Sequence, residues 1–146
     1  MTGLALTSAN VIAQAAHKAA QVAGMAPLCV TVIDAGGHVL ATLRDERASL
    51  YRPEIAMAKA AGCLGMGFGG REVARRAAAM PAFYTAVNTM TGGGLAPVAG
   101  GVLIRAAGGA LLGAVGISGD TADNDELCAV AGIEAAGLIA DTGATS

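Results

Sequence analysis

L-C-V-T-V-I-D-A-G-G-H-V-L-A-T-L-R, residues 28–44, is the stretch on which the fold class turns. Leu28 to Ile33 is β-rich and too apolar for strict alternation, which predicts a central strand buried on both faces. Asp34-Ala35-Gly36-Gly37 reads as a turn, because paired glycines take positive φ where other residues strain. Val39 to Arg44 is then the return strand of an antiparallel hairpin, with His38 an exposed residue beside the turn.

Upstream, Leu4 to Ala23 reads as a helix capped by Thr7 or Ser8 and ended by Gly24 and Pro27. At 100° per residue Val11, Ile12, Ala15, Ala16, Ala19, Val22 and Ala23 share its apolar face, with Gln14, His17 and Gln21 opposite. Downstream, Arg44-Asp45-Glu46-Arg47 through Tyr51-Arg52-Pro53 is a charged loop. Pro53 and Glu54 suit the first turn of a second helix. From Ile55 to Phe68 the single charged residue is Lys59, so this helix is expected to be buried. A buried ammonium needs a route to solvent, a carboxylate partner or an anionic ligand.

Gly65 to Gly70 breaks the chain without the strand and Gly-Lys-Ser/Thr that a phosphate loop requires. Glu72 to Met80 is a short helix, and Arg71, Arg75 and Arg76 form either a solvated face or an anion-binding surface. Pro81 opens another helical turn, and Thr91-Gly92-Gly93-Gly94 is a loop. Leu95–Val98, Val102–Arg105 and Leu111–Ile117 read as strands, followed by a helix over 124–139. Asp123 and Glu126 have capping-box spacing. Asp120, Asp123, Asp125 and Glu126 could alternatively hold a divalent cation. Hairpin-connected strands with segregated helices predict an α+β fold with one antiparallel sheet covered by helices. The 146 residues are expected to form one domain, 1–146.

Composition narrows the function. Lys+Arg 9 against Asp+Glu 11 leaves a formal charge of −2, with no cationic footprint for nucleic acid or an anionic membrane. The aromatics are Tyr51, Phe68, Phe83 and Tyr84, too few for a base-stacking platform. The apolar share of 54% argues against disorder, but alanine dominates it and builds a modest core, so a homo-oligomer is expected. No apolar run is long enough for a membrane span, and residues 1–10 lack the features of a signal peptide. Cys29, Cys63 and Cys128 show no metal spacing and read as small buried hydrophobes, which suits the cytoplasm.

Four stretches carry a resemblance: V-T-V-I-D-A-G-G-H-V-L-A (30–41), I-A-M-A-K-A (55–60), P-V-A-G-G-V-L-I-R (97–105) and L-L-G-A-V-G-I-S-G-D-T-A-D-N-D-E (111–126). In these the chain resembles the GlcG/HbpS-like family, labelled the haem-degrading domain, which includes the C-terminal domain of the propanediol-utilisation adenosyltransferase. The resemblance implies a profilin-like fold: a five-stranded antiparallel sheet with helices on both faces, assembled into dimers or larger oligomers. Some relatives bind haem, one of them through a histidine on the first helix, and His17 in A-A-H-K-A-A looks like that position.

Two functional readings follow, and a third stands behind them. In the first, the protein binds haem or a related tetrapyrrole in haem or iron handling. His17 is then the axial ligand to the haem iron, with Arg52 or Lys59 near the propionates. Met25, Met57, Met66 and Met90 are available to line an apolar slot at a subunit interface. In the second, it is a small-molecule catabolic enzyme or pathway accessory protein. Its site would join Asp34, Arg44, Lys59, Gly92, Gly93 and Gly94, with Lys59 holding an anionic metabolite. The third is an oligomeric interaction module without a ligand.

Overall fold

The computed structural model describes residues 3–145. The expected hairpin is β1 (Cys29–Asp34) and β2 (Val39–Arg44). Asp34 shapes its turn: Oδ1 accepts the backbone N–H groups of Gly36 at 2.9 Å and His38 at 3.0 Å. β3 (Gly101–Arg105), β4 (Leu111–Ser118) and β5 (Ile139–Asp141) complete a five-stranded sheet of order β2-β1-β4-β3-β5. Every neighbouring pair is antiparallel. The apolar run of β1 is explained by its place between β2 and β4, where Cys29 through Ile33 are all buried.

Helices α1 (Leu6–Val22) and α5 (Ala122–Ala135) cover one face, and α2 (Arg52–Met66) covers the other. On the first face Val30, Val32, Val102, Ile104, Val115 and Ile117 meet Ile12 of α1 and Ile133 of α5. On the second, Ile33, Leu103 and Ala114 meet Ala60 and Cys63. Helices α3 (Gly70–Ala79) and α4 (Pro81–Met90) close a smaller cluster of Val73, Tyr84 and Leu95. The fold is α+β, with an antiparallel sheet and helices on both faces, as expected.

Glycine sets how closely these layers approach. A Cβ on Gly116 would stand 1.9 Å from the Ala56 carbonyl oxygen, so α2 lies against the bare backbone of β4. A Cβ on Gly132 would stand 2.4 Å from the Ile12 carbonyl oxygen, so α1 and α5 also meet backbone to backbone. This contact corrects the face assigned to α1. The side chains turned inward are Ala9, Ile12, Ala13, Ala16 and Ala20, small enough for the close approach, while Val11 and Val22 stay exposed. The helix also starts without a side-chain cap, Thr7 and Ser8 lying inside it.

Two strand assignments change. Leu95–Val98 is irregular: Ala96 donates its N–H to the Ala58 carbonyl of α2, and Pro97 has no N–H to offer a ladder. The fifth strand is instead β5, which begins at the residue expected to end the last helix. α5 stops at Ala135 and Gly137, at φ 74, reverses the chain, so Ile139–Asp141 return along β3. The cap of α5 is Thr121, whose side chain accepts from the Asn124 N–H at 3.2 Å, and not Asp123.

Candidate functional site

His17 lies on the side of α1 that faces the end of β2. It is half-buried, and its Nε2 lies 2.8 Å from the Leu43 carbonyl oxygen. A carbonyl can only accept, so Nε2 carries the hydrogen, and in the neutral ring the lone pair stands on Nδ1. The strand thus fixes both the tilt and the tautomer of the imidazole, as outer-sphere partners of metal-binding histidines do.

The ring opens on a cleft of about 280 Å³ between the end of α1 and the charged loop, which Gln21, Met25, Asp45 and Arg47 also line. Arg47 is clamped to Asp45 through Nε at 3.1 Å and Nη2 at 2.9 Å, and its backbone N–H donates to the same carboxylate at 2.9 Å. These bonds, with the charge of Arg47, hold the Asp45 carboxyl down to about 2. Met25 sits beneath, its Sδ 3.3 Å from the Cys128 thiol. The cleft therefore offers an oriented imidazole, a held guanidinium and a thioether. In the sequence Asp45 and Arg47 dissolve into the densest run of charge. Their i,i+2 spacing just after a strand was the available signal.

The other expected site residues do not join His17. Arg52 and Lys59 belong to α2, on the opposite face of the sheet. Arg52 donates to Ser49 Oγ and Ser118 Oγ, both at 3.0 Å. Of the readings open for Lys59, the structure realises the carboxylate partner. Its ammonium, 5% exposed, donates to Asp125 Oδ2 at 3.2 Å and to the Ile117 carbonyl at 2.8 Å. Asp34 and Arg44 stand at opposite ends of the β1–β2 hairpin, and Arg44 is engaged with the Ala48 carbonyl at 2.5 Å. Gly92, Gly93 and Gly94 border a separate cleft beside α2. Within one chain the second constellation is dispersed, and its lysine is already occupied.

The acidic cluster has structural partners too. Asp120 accepts from the Ala26 N–H at 2.8 Å and from Asn124 Nδ2 at 2.7 Å, which lowers its carboxyl below the usual range. Arg71 bridges Asp123 at 2.8 Å and Glu126 at 2.9 Å, tying α3 to α5. Asp125 belongs to Lys59. Among the described residues no three His, Cys, Asp or Glu side chains converge as a metal site.

All three cysteines are buried and unpaired. Burial pushes the Cys63 thiol up to about 12, the Asp141 charge adding to the effect and Lys59 opposing it. Cys128 is raised to about 11, again chiefly by burial, and Cys29 shifts the same way. A thiolate is the reactive form. The native protein is therefore expected to leave its thiols unmodified by Ellman's reagent at pH 8, on a timescale where the urea-denatured chain titrates all three. A fast-reacting thiol in the folded protein would contradict this account of the core.

With fold and cleft described, the chain belongs to the HbpS-like family: the family model, described as haem degrading protein HbpS-like, matches residues 4–134. Among solved structures it is similar to the PduOC:heme complex at 26% identity and TM-score 0.83, covering 98% of this chain and 100% of that one. It is similar to HbpS at 32% identity and TM-score 0.78, covering 92% and 90%. The Klebsiella pneumoniae protein ORFY shares the fold at 23% identity and TM-score 0.82, over 92% and 90%. No curated protein matches the chain. No helix among the described residues is long and apolar enough to cross a membrane.

Proposed function

We propose that this chain binds haem or a related tetrapyrrole, with His17 as ligand to the iron and Arg47 beside a propionate. The observation that carries the reading is the fixed imidazole of His17. It lines a cleft with a guanidinium whose geometry is set by Asp45. Imidazole is a common proximal ligand of haem iron, and the guanidinium, whose Nε and Nη2 hold Asp45, keeps Nη1 to offer a propionate. Family membership and the likeness to the PduOC:heme complex support the same class of ligand. Arg47 replaces Arg52 and Lys59 as the cation of the site, because the sheet separates those two from His17.

The cleft, at about 280 Å³, falls just below the roughly 300–1,000 Å³ typical of ligand pockets. A porphyrin therefore needs a second wall. Leu6, on the same side of α1 as His17, and Leu43, whose carbonyl holds the imidazole, are both exposed. In this reading a second copy of the chain, as a single-domain protomer of a cytoplasmic homo-oligomer, closes the slot.

Hemin titration followed in the Soret region tests the proposal. Wild type is expected to saturate with a ligated spectrum that His17→Ala loses, and Arg47→Ala to weaken affinity by about tenfold through loss of a charge-assisted contact. Identical spectra and affinities for wild type and His17→Ala would remove His17 from the site and the proposal with it.

A further inference from the structure

The face of the sheet away from His17 carries a second groove. Two clefts, of about 380 Å³ and 210 Å³, lie along the outer side of α2. They share Ala61, Thr91 and Gly94, and so form one continuous groove between α2 and the α4 helix with its glycine loop. Together they fall within the usual size of small-molecule sites. Met57 lines the wider part, and Met66, Met90 and Phe83 line the narrower one. Flexible thioethers around an aromatic ring adapt well to flat apolar molecules.

The floor of the groove is unusually bare. Gly62 has a packing reason to be glycine, since a Cβ there would stand 2.6 Å from Leu95 Cδ1. Gly65 has none: a Cβ there would meet no atom within 4 Å, and its φ is not in the left-handed region. Glycine inside a helix is unfavourable relative to alanine. At Gly65 that disadvantage brings no internal contact in return; it keeps the groove open.

The electrostatics of the groove select its occupant. Glu54, in the first turn of α2, is the single charged residue lining either cleft, and among the described residues no cation or N–H engages its carboxylate. A propionate-bearing porphyrin would meet only like charge here, which separates this groove from the His17 cleft. We propose that the groove between α2 and α4 binds a flat apolar molecule carrying a positive charge, its rings on the Ala61–Gly65 face and its cation at Glu54.

Fluorescence titration with thioflavin T, a flat aromatic cation, tests this, with the anionic dye anilinonaphthalene sulfonate as the charge control. The expected result is saturable one-to-one binding of thioflavin T and much weaker binding of the anion. Gly65→Leu, which places a side chain in the open space, abolishes it while the urea midpoint stays level or rises. Glu54→Gln, an exposed change that leaves the core alone, weakens binding by about three- to fivefold. His17→Ala leaves it unchanged. Equal affinity in Gly65→Leu and wild type overturns the proposal. So does exclusion of both dyes until the protein is diluted to monomer, because the groove then belongs to a second copy of the chain.

Discussion

Lys59→Met is expected to lower the unfolding free energy by about 3–5 kcal/mol, read from urea denaturation. The lysine side chain is 5% exposed and that of Asp125 1%. Removing the ammonium strands a carboxylate whose remaining contact is the Asp120 N–H on Oδ1 at 2.9 Å. It also frees the Ile117 carbonyl from its 2.8 Å donor. Breaking one side of a buried pair is far more damaging than removing both charges. Adding Asp125→Asn should therefore recover part of the loss, since asparagine Oδ1 still accepts from Asp120 and no charge is left stranded. A single mutant within about 1 kcal/mol of wild type would mean that the pair is solvated and peripheral. The same change is a poor probe of ligand binding, because lost binding would report a weakened fold unless the variant is shown to be folded.

Gly116→Ala is the second large effect, and its partner experiment has the opposite sign. The added methyl would sit 1.9 Å from the Ala56 carbonyl oxygen and 2.7 Å from the Ala60 nitrogen, both backbone atoms that no rotamer change can move. α2 would have to lift from β4, at about 3 kcal/mol or more on the scale of overpacked cores. Gly65→Ala makes the same chemical change in open space on α2 and is expected to stabilise by about 0.5–1 kcal/mol. Urea midpoints measured side by side decide the matter. A Gly116→Ala protein as stable as Gly65→Ala would mean that the layers are not in direct backbone contact.

How legible each feature was depended on how local its cause was. The β1–β2 hairpin, the presence of α2 and the break at Gly67 were readable because turn chemistry and apolar runs act within a few residues, but α2 is buried on one side alone, through Ala56, Lys59, Ala60, Gly62 and Cys63. β5 was not, since Ile139-Ala140-Asp141 continues an alanine-rich helical pattern and becomes a strand only because β3 offers an open edge. The face of α1 was misjudged for a related reason. Hydrophobicity ranks valine above alanine, yet the tight approach at Gly132 admits alanine and excludes Val11. Lys59 was visible as an anomaly, but its partner lies far along the chain and could not be read from spacing. His17 stood out in the sequence by its place on the polar face of α1, while Asp45 and Arg47 join it only because the loop folds back beside it.

The register at the centre of the sheet bears on how the chain reaches this state. β1 and β4 pair from Cys29↔Ser118 to Asp34↔Gly113, joining segments near opposite ends of the sequence. During synthesis the first hairpin can form early, but the inner edge of β1 then waits, apolar and unpaired, until α2, α3, α4 and β3 have emerged. Such non-local closure slows folding and leaves a sticky strand edge exposed for a finite interval. The wide separation of those two central strands makes the N-terminal half the aggregation-prone part of a nascent chain, and its protection a matter of how quickly residues 111–118 arrive.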